Sequence, residues 1–246
     1  MYKTHPNSTS EVNNSSSSKD FFDRNYQLQK YCTPRQKAFL QKEVVYCNYK
    51  KDDLIFHEHQ PAFNVFFICS GIIELWKEGI NSKKQVIRFA KEGDLLGYRG
   101  IVMKNLQYQL SATVLEDSII YSVEKNIFEK VLKKNPELNS HILLTYTKEL
   151  EKVETRLRDL INMNVREKVA EALLILHNTF ATKEDASALN ISLSRQTIAD
   201  VAGTCEGRVI KQIAEFRDEN ILSGNGKKIT ILRPEKLKDI VRKFHE

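Results

Sequence analysis

The chain has 246 residues, 41% of them hydrophobic, and 38 Lys and Arg against 32 Asp and Glu give it a formal net charge of +6. This length allows about two domains of ordinary size. The mild basic excess suits a phosphate-bearing partner without establishing one. No apolar run approaches the ~18–20 residues of a membrane span, and no secretory signal is evident. We therefore expect a cytoplasmic protein without membrane contact.

The cysteines are too widely scattered to form a metal cassette. They are Cys32, Cys47, Cys69 and Cys205. Because zinc sites and iron–sulfur clusters need closely spaced thiolates, we expect neither a metal nor another cofactor. Phosphate-binding glycine loops, nucleophile elbows and zinc-protease motifs are also missing from the sequence, so we expect that the protein is not an enzyme.

The first half of the chain changes from a polar tail to a β-rich domain. Residues 1–25 are rich in Asn and Ser and predict a flexible polar tail, which becomes ordered near Phe21. Residues 26–134 predict a β-roll sensor domain, preceded by a helix over residues 33–44 with Thr33 as its N-cap. Short apolar runs there alternate with Gly and Pro turns, a pattern typical of an antiparallel sandwich or jelly roll.

Residues 135–163 predict one long helix that serves for dimerisation. Its apolar residues recur at alternating spacings of 3 and 4, as in the seam of a coiled coil. These residues are Leu143, Tyr146, Leu150, Val153, Leu157 and Leu160. An amphipathic helix lying on its own domain would show a similar pattern. The position of the seam between two domains favours a homodimer.

The last segment, residues 164–246, predicts a winged helix-turn-helix. An apolar helical stripe is followed by a polar link over residues 181–190. Ser194 then caps a first helix over residues 195–202, and Gly203 allows a tight turn into a second helix. An Asn-Gly pair at residues 225–226, between two apolar runs, predicts a hairpin. The fold class is therefore α+β.

The second helix has two distinct faces. Val209, Ile213 and Phe216 share one side and predict the face that packs on the first helix. Small and basic residues begin the opposite side, as entry into the major groove of DNA requires. A helical hairpin with a solvated basic face is the alternative interpretation, and the following wing argues against it.

Four motifs in the right order resemble the cyclic-AMP receptor/Fnr (Crp/Fnr) family of bacterial transcription regulators. They are EGDLLG at residues 92–97, NPEL at 135–138, VREKVA at 165–170 and SRQTIADVAG at 194–203. The resemblance covers roughly residues 30–235. It implies a β-roll that senses a signal, a dimer paired through its long helices, and two recognition helices on a near-palindromic DNA site. RNA polymerase is a further candidate partner.

The resemblance also implies which residues contact DNA. By position, the phosphate and base contacts fall at Ser194, Arg195, Gln196, Thr204, Cys205, Glu206, Gly207, Arg208, Lys211 and, in the wing, Lys227. Family members often carry Glu at Gly207, Ser or Thr at Arg208 and Arg at Lys211. Because Gly offers no side chain and Lys lacks the guanidinium fork, we expect an altered operator.

The residues implied for an effector pocket depart from the pattern for cyclic AMP. In members that bind it, a Glu follows the glycine equivalent to Gly97, and an Arg precedes the serine equivalent to Ser111. This chain has Tyr98 and Leu110 at those positions. The pocket thus lacks the acceptor for the ribose hydroxyl and the countercharge for the phosphate.

Two further positions of this pocket differ as well. Where the family's dimerisation helix offers hydroxyls to the adenine, this chain has Val153 and Glu154. Arg99 is either an anion ligand or an exposed, ion-paired side chain. We expect that cyclic AMP is not the effector, and the effector is unknown. The function expected is a sequence-specific, homodimeric DNA-binding regulator. The alternative is an effector-binding module that acts through a protein partner with weak or lost DNA specificity.

Two smaller features leave alternatives open. His57 and His59 are two residues apart and suit either a strand face with two metal ligands or a solvated turn, and two ligands do not make a metal site. Cys205 at the entrance to the recognition helix is either a redox-sensitive thiol or a small packed residue.

Overall fold

The computed structural model describes residues 21–22, 26–79, 83–102, 107–180, 188–189, 194–224 and 228–242. These residues fall into two compact units. The first lies within Met1–Lys77 and Ile87–Glu149, and the second within Glu78–Val86 and Leu150–Glu246. Among the described helices, none combines the length and apolar character that a bilayer crossing demands.

The elements up to the long helix alternate as the sequence predicts. In chain order they are α1 (Tyr26–Tyr31), α2 (Pro34–Glu43), β1 (Val45–Tyr49), β2 (Leu54–Phe56), β3 (Asn64–Ser70), β4 (Ile73–Glu78), β5 (Lys84–Ala90), β6 (Leu95–Leu96), α3 (Arg99–Val102), β7 (Ser111–Val114), β8 (Ser118–Glu124) and α4 (Lys125–Lys133). Thr33 caps α2 in a capping box with Gln36, which confirms the helix predicted there.

The strands form two four-stranded sheets, ordered β1-β8-β3-β6 and β2-β7-β4-β5. The neighbours β1 and β8, and β3 and β8, pair antiparallel, with Cys47 opposite Ile120 and Phe67 opposite Tyr121. The antiparallel β-roll predicted from the short strands and turns is therefore confirmed.

Strand β3 is buried on both faces, which explains its continuous apolar run. Phe66 and Ile68 point into a core shared with the second sheet. Val65, Phe67 and Cys69 alternate to the other side, where α2 and α4 pack. A strand enclosed on both sides needs apolar residues at every position rather than every second one.

The predicted tail reaches further into the fold than its composition suggests. Phe21 and Phe22 are buried in the same core as Val65, Phe67 and Cys69. The Phe21 ring lies 5.3 Å from the Phe67 ring and 4.9 Å from the Tyr121 ring. Two aromatic rings repay the entropy of ordering that the preceding Ser and Asn residues cannot repay. Residues 1–20 of the predicted tail lie outside the described residues.

The rest of the chain is mainly helical. Its elements are α5 (Pro136–Asn162), α6 (Val165–Phe180), β9 (Ala188–Leu189), α7 (Arg195–Ala202), α8 (Glu206–Asp218), β10 (Leu222–Ser223), β11 (Ile229–Ile231) and α9 (Pro234–Val241). Helix α6 contacts α7, α8 and α9. Its predicted stripe of Val169, Leu173 and Leu176 is fully buried, so α6 is the central helix of the second unit.

The prediction of a polar link over residues 181–190 is wrong in one part. It contains β9, which pairs antiparallel with β11 and places Leu189 opposite Ile229. Backbone hydrogen bonds hold this short strand, and a polar sequence does not reveal them. The remainder of the link lies outside the described residues.

Candidate nucleic-acid interface

Helix α7 begins where the sequence predicts. The Ser194 hydroxyl accepts a hydrogen bond from the Thr197 amide at 2.9 Å, with Ser194 itself in an extended conformation. Ile198, Ala199 and Ala202 are buried along the inner side of the helix. The cap thus fixes the first residues of α7, Arg195 and Gln196, at its exposed end.

The turn between α7 and α8 depends on a left-handed glycine. Gly203 has φ 62° and ψ 40°, a conformation that side chains disfavour. The amides of Gly203 and Thr204 both donate to the Ala199 carbonyl, so the turn closes tightly. Cys205 follows as the N-cap of α8 without a side-chain hydrogen bond.

Helix α8 turns its apolar face inward and its polar face out. Val209, Ile213 and Phe216 are at most 1% exposed. The positions predicted to contact DNA lie on the outside: Cys205, Glu206, Gly207, Arg208 and Lys211 are all exposed, whereas Thr204 is half-buried. The structure therefore presents the first turns of α8 to a partner.

One exposed residue on α8 was not foreseen. Ile210 is 52% exposed although it is apolar, and it stands one helical turn after Glu206. The sequence offered a signal, since Ile210 lies off the Val209, Ile213 and Phe216 stripe. An aliphatic group at this place suits contact with a thymine methyl.

A bidentate ion pair anchors the far end of α8. The Nη1 and Nη2 atoms of Arg166 on α6 donate to the two oxygens of the Glu219 carboxylate, each at 2.7 Å. The same guanidinium lies 4.8 Å from the centre of the Phe216 ring. The Arg166 hydrogen bond lowers the pKa of Glu219. The two parallel hydrogen bonds and the contact with the Phe216 ring together restrain both the position of α8 and its angle to α6.

The two predicted phosphate contacts on α7 have different surroundings. Burial and the nearby charge of Arg217 lower the pKa of Arg195, so an added anion would stabilise its charged form. Gln196 is exposed and donates to Asp200 within the same helix at 2.6 Å. In the wing, β10 and β11 pair with Leu222 opposite Ile231, whereas Lys227 lies outside the described residues.

The predicted effector residues of the first unit are already engaged with the protein. Tyr98 is 8% exposed and donates to the Asn139 amide oxygen at 3.2 Å. Its ring lies 5.3 Å from Tyr146 and edge-on to Phe128. Gly97 has φ 78°, and a Cβ there would meet the Asn64 carbonyl oxygen at 2.7 Å.

Ser111 and its neighbours form a buried polar group. The Ser111 hydroxyl is fully buried and accepts a hydrogen bond from the Glu58 amide at 2.9 Å. The Glu58 carboxylate, also buried, pairs with Lys77 at 2.5 Å. Leu110 is partly buried beside the β-roll core and Arg99 is exposed. Val153 and Glu154 belong to the second unit.

The remaining candidates, the histidines and cysteines, do not come together as a metal site in the described part of the chain. Among the described residues, no three His, Cys, Asp or Glu side chains come together as metal ligands. His59 is exposed, and the His57 ring lies edge-on to Trp76. Burial raises the pKa of the Cys32 thiol to about 11 and also raises that of Cys47. Cys205 is exposed.

The predicted seam of α5 divides into two sets. Leu143, Leu150 and Leu157 are 65%, 56% and 59% exposed. The intervening residues Tyr146, Val153 and Leu160 are partly buried within their own chain. Ile161, which lies outside the predicted seam, is 74% exposed and continues the leucine stripe four residues after Leu157.

Comparison with known proteins agrees with both units. Residues 46–135 match the model of the cyclic nucleotide-binding domain, and residues 167–240 match that of the Crp-like helix-turn-helix domain. The chain is 26% identical to the anaerobic regulatory protein of Bacillus subtilis over 175 residues, 71% of this chain and 74% of that protein. It is 23% identical to the CRP-like cAMP-activated global transcriptional regulator of Mycobacterium tuberculosis over 206 residues, 83% of this chain and 91% of that one.

Solved structures show the same fold. FixK2 from Bradyrhizobium japonicum superposes with a TM-score of 0.68 at 21% identity, covering 80% of this chain and 96% of that one. A putative Crp/Fnr regulator from Eubacterium rectale gives 0.74 at 16% identity, with 87% and 97% covered. Regulators of this family bind DNA and typically act as dimers. With a β-roll, a helix-turn-helix and both family models in place, the chain belongs to the Crp/Fnr family of transcription regulators.

Proposed function

We propose that the protein is a homodimeric, sequence-specific DNA-binding regulator that acts in the cytoplasm, and that its β-roll does not bind cyclic AMP. The observation that carries the DNA-binding proposal is the orientation of α8. Its apolar stripe is buried, while Glu206, Gly207, Arg208 and Lys211 face outward from its first turns. A helix held in this way can enter the major groove with its N-terminal residues against the base edges.

The proposed contacts separate into two kinds. Ser194, Arg195 and Gln196 lie at the start of α7, where side chains and helix-end amides bind phosphate. Arg208 and Lys211 supply donors for bases, and Ile210 supplies an aliphatic surface. Because Gly207 has no side chain, α8 has one side chain fewer for distinguishing bases than it would have with Glu at that position.

The Arg195→Ala variant tests the phosphate contact. Losing one phosphate contact should weaken binding to a selected duplex and to random duplex by similar factors, since phosphates carry no sequence information. The slope of log affinity against log salt should fall by about 1. Fluorescence anisotropy across a salt series measures both quantities.

Arg35→Ala, an exposed arginine on α2 of the first unit, is the matched control and should leave the slope unchanged. An Arg195→Ala slope equal to that of the wild type would remove Arg195 from the interface. Salt-insensitive binding by the wild type would instead support the alternative module that acts through a protein partner.

The dimer is proposed to form along the exposed stripe of α5. Leu143, Leu150, Leu157 and Ile161 recur at coiled-coil spacings and stay accessible in the single chain. Burying four such side chains against a second copy removes a contiguous apolar surface from water. The half-buried Tyr146, Val153 and Leu160 would flank this seam rather than form its centre.

The double variant Leu150→Glu, Leu157→Glu should be monomeric, because two carboxylates would face their copies across an apolar seam. Light scattering should report half the wild-type mass. Leu232→Glu changes a leucine of similar exposure, 52%, just after β11 and should leave the dimer intact. A dimeric double variant would place the interface elsewhere.

The proposal that cyclic AMP does not bind rests on side chains that already make contacts within the protein. Tyr98 packs in the aromatic cluster with Phe128 and Tyr146 and offers no carboxylate to a ribose hydroxyl. The Ser111 hydroxyl accepts the Glu58 amide, and Leu110 brings no charge. A phosphate placed beside Ser111 would have no arginine to balance its charge at the position before the serine, because Leu110 stands there.

Isothermal calorimetry with the purified protein should therefore show no heat of binding for cyclic AMP up to a concentration on the order of 1 mM. The same preparation should bind DNA, which shows that the sample is competent. Saturable binding at submillimolar cyclic AMP would overturn this part of the proposal.

A further inference from the structure

Within the second unit, an arginine of the long helix reaches the end of the first helix of the helix-turn-helix. The Arg156 guanidinium on α5 donates from Nη2 to the Val201 carbonyl at 2.6 Å. Val201 is the penultimate residue of α7. The contact therefore joins the helix proposed for dimerisation to the helix that directly precedes the turn into α8.

The end of α7 is a place where a cation is favoured. The last carbonyls of a helix have no partner within it, and they carry the negative end of the helix dipole. The turn amides of Gly203 and Thr204 satisfy Ala199, and Arg156 donates to Val201. A charged donor makes a stronger hydrogen bond there than a neutral one would.

Arg156 is also tied electrostatically to α6. Burial lowers the pKa of its guanidinium, and the Glu171 carboxylate on α6 acts in the opposite direction by favouring the charged form. The charge is thus stabilised by a carboxylate of α6 and by the carbonyl end of α7. Three helices of the second unit share this one side chain.

The turn of α5 that carries Arg156 has two separate roles. Leu157 and Ile161 are 59% and 74% exposed on the proposed seam. Arg156 lies about 100° around the helix from Leu157, and it points to α7 instead. One face of this turn is free for a second copy, and another is fastened to the helix-turn-helix.

We propose that Arg156 is a positioning residue that fixes α7, and through the turn α8, to the dimerisation helix, and so sets the distance between the two recognition helices. The proposal rests on the dimeric DNA-binding function proposed above. A helix-turn-helix dimer must present its recognition helices about one turn of DNA apart. A rotation of α7 relative to α5 would move one of the dimer's two recognition helices out of its groove. Each recognition helix could still bind a half-site alone.

The test compares Arg156→Gln and Arg156→Lys with the wild type as full-length chains. The probe is a duplex that the wild type enriches from a random pool, together with the same duplex with one half-site scrambled and with one base pair inserted between the half-sites. Arg156→Gln should lose about tenfold in affinity for the intact duplex, the scale of one hydrogen bond to a charged group. It should keep its affinity for the single half-site and should tolerate the insertion.

Arg156→Lys retains a charged donor and should recover part of the loss. Lys152→Gln, which removes a charge from an exposed side chain one turn earlier on α5, should behave as the wild type. Circular dichroism and light scattering should show folded dimers for all of these variants, and the lysine variant carries the same test if the glutamine variant unfolds.

Four results would contradict the proposal. Wild-type dependence on half-site spacing in both Arg156 variants would remove the positioning role. If the variants lost affinity equally for single and double half-sites, Arg156 would only support the fold of the helix-turn-helix. If the variants bound the intact duplex more tightly than the wild type, the contact would hold α7 in a position unfavourable for binding. A wild type that neither dimerises nor enriches a duplex would instead contradict the proposed function, and this proposal with it.

Discussion

The packing of Phe216 is the interaction on which the proposed DNA-binding face of α8 depends. Its ring is fully buried, it continues the Val209 and Ile213 stripe, and the Arg166 guanidinium lies over it. Arg166 also grips Glu219 just beyond α8. If this side of α8 is fixed, the opposite side must face outward, and that side holds the small and basic residues.

The helix-turn-helix was largely predictable because its determinants are local. Ser194 caps the helix that it begins, Gly203 takes the left-handed turn, and a period of three to four residues separates the two faces of α8. The β-roll was predictable from its short strands and turns. In each case, neighbouring residues carry enough information to select the structure.

Features that depend on distant residues were not predictable in this way. The burial of Phe21, the pairing of β9 with β11 and the contact of Arg156 with Val201 each join segments far apart in sequence. The coiled-coil pattern of α5 also matched two residue sets on adjoining sides of the helix. Only the burial of Tyr146, Val153 and Leu160 against their own chain separates that set from the exposed leucines.

The chain keeps the family framework and changes the polar groups within it. Tyr98 donates to Asn139 and Glu58 pairs with Lys77, so these polar groups, at or next to the positions predicted for the effector pocket, are bound within the protein itself. Gly207 and Lys211 likewise change the groups on the exposed face of α8 that we propose reads the bases. Apolar packing tolerates such changes because it fixes where the elements lie, whereas specificity depends on single donors and acceptors. We therefore propose that both the effector and the operator differ from those of a cyclic AMP-activated regulator, although the architecture is shared.

DNase footprinting of the wild-type protein, on a duplex that it has enriched from a random pool, shows whether two recognition helices bind DNA together. We expect a protected region with two-fold symmetry, whose half-sites are about one helical turn, or roughly 10 base pairs, apart. Uniform protection without sequence preference, or a single unpaired site, would contradict the account of a dimer whose two recognition helices enter successive major grooves.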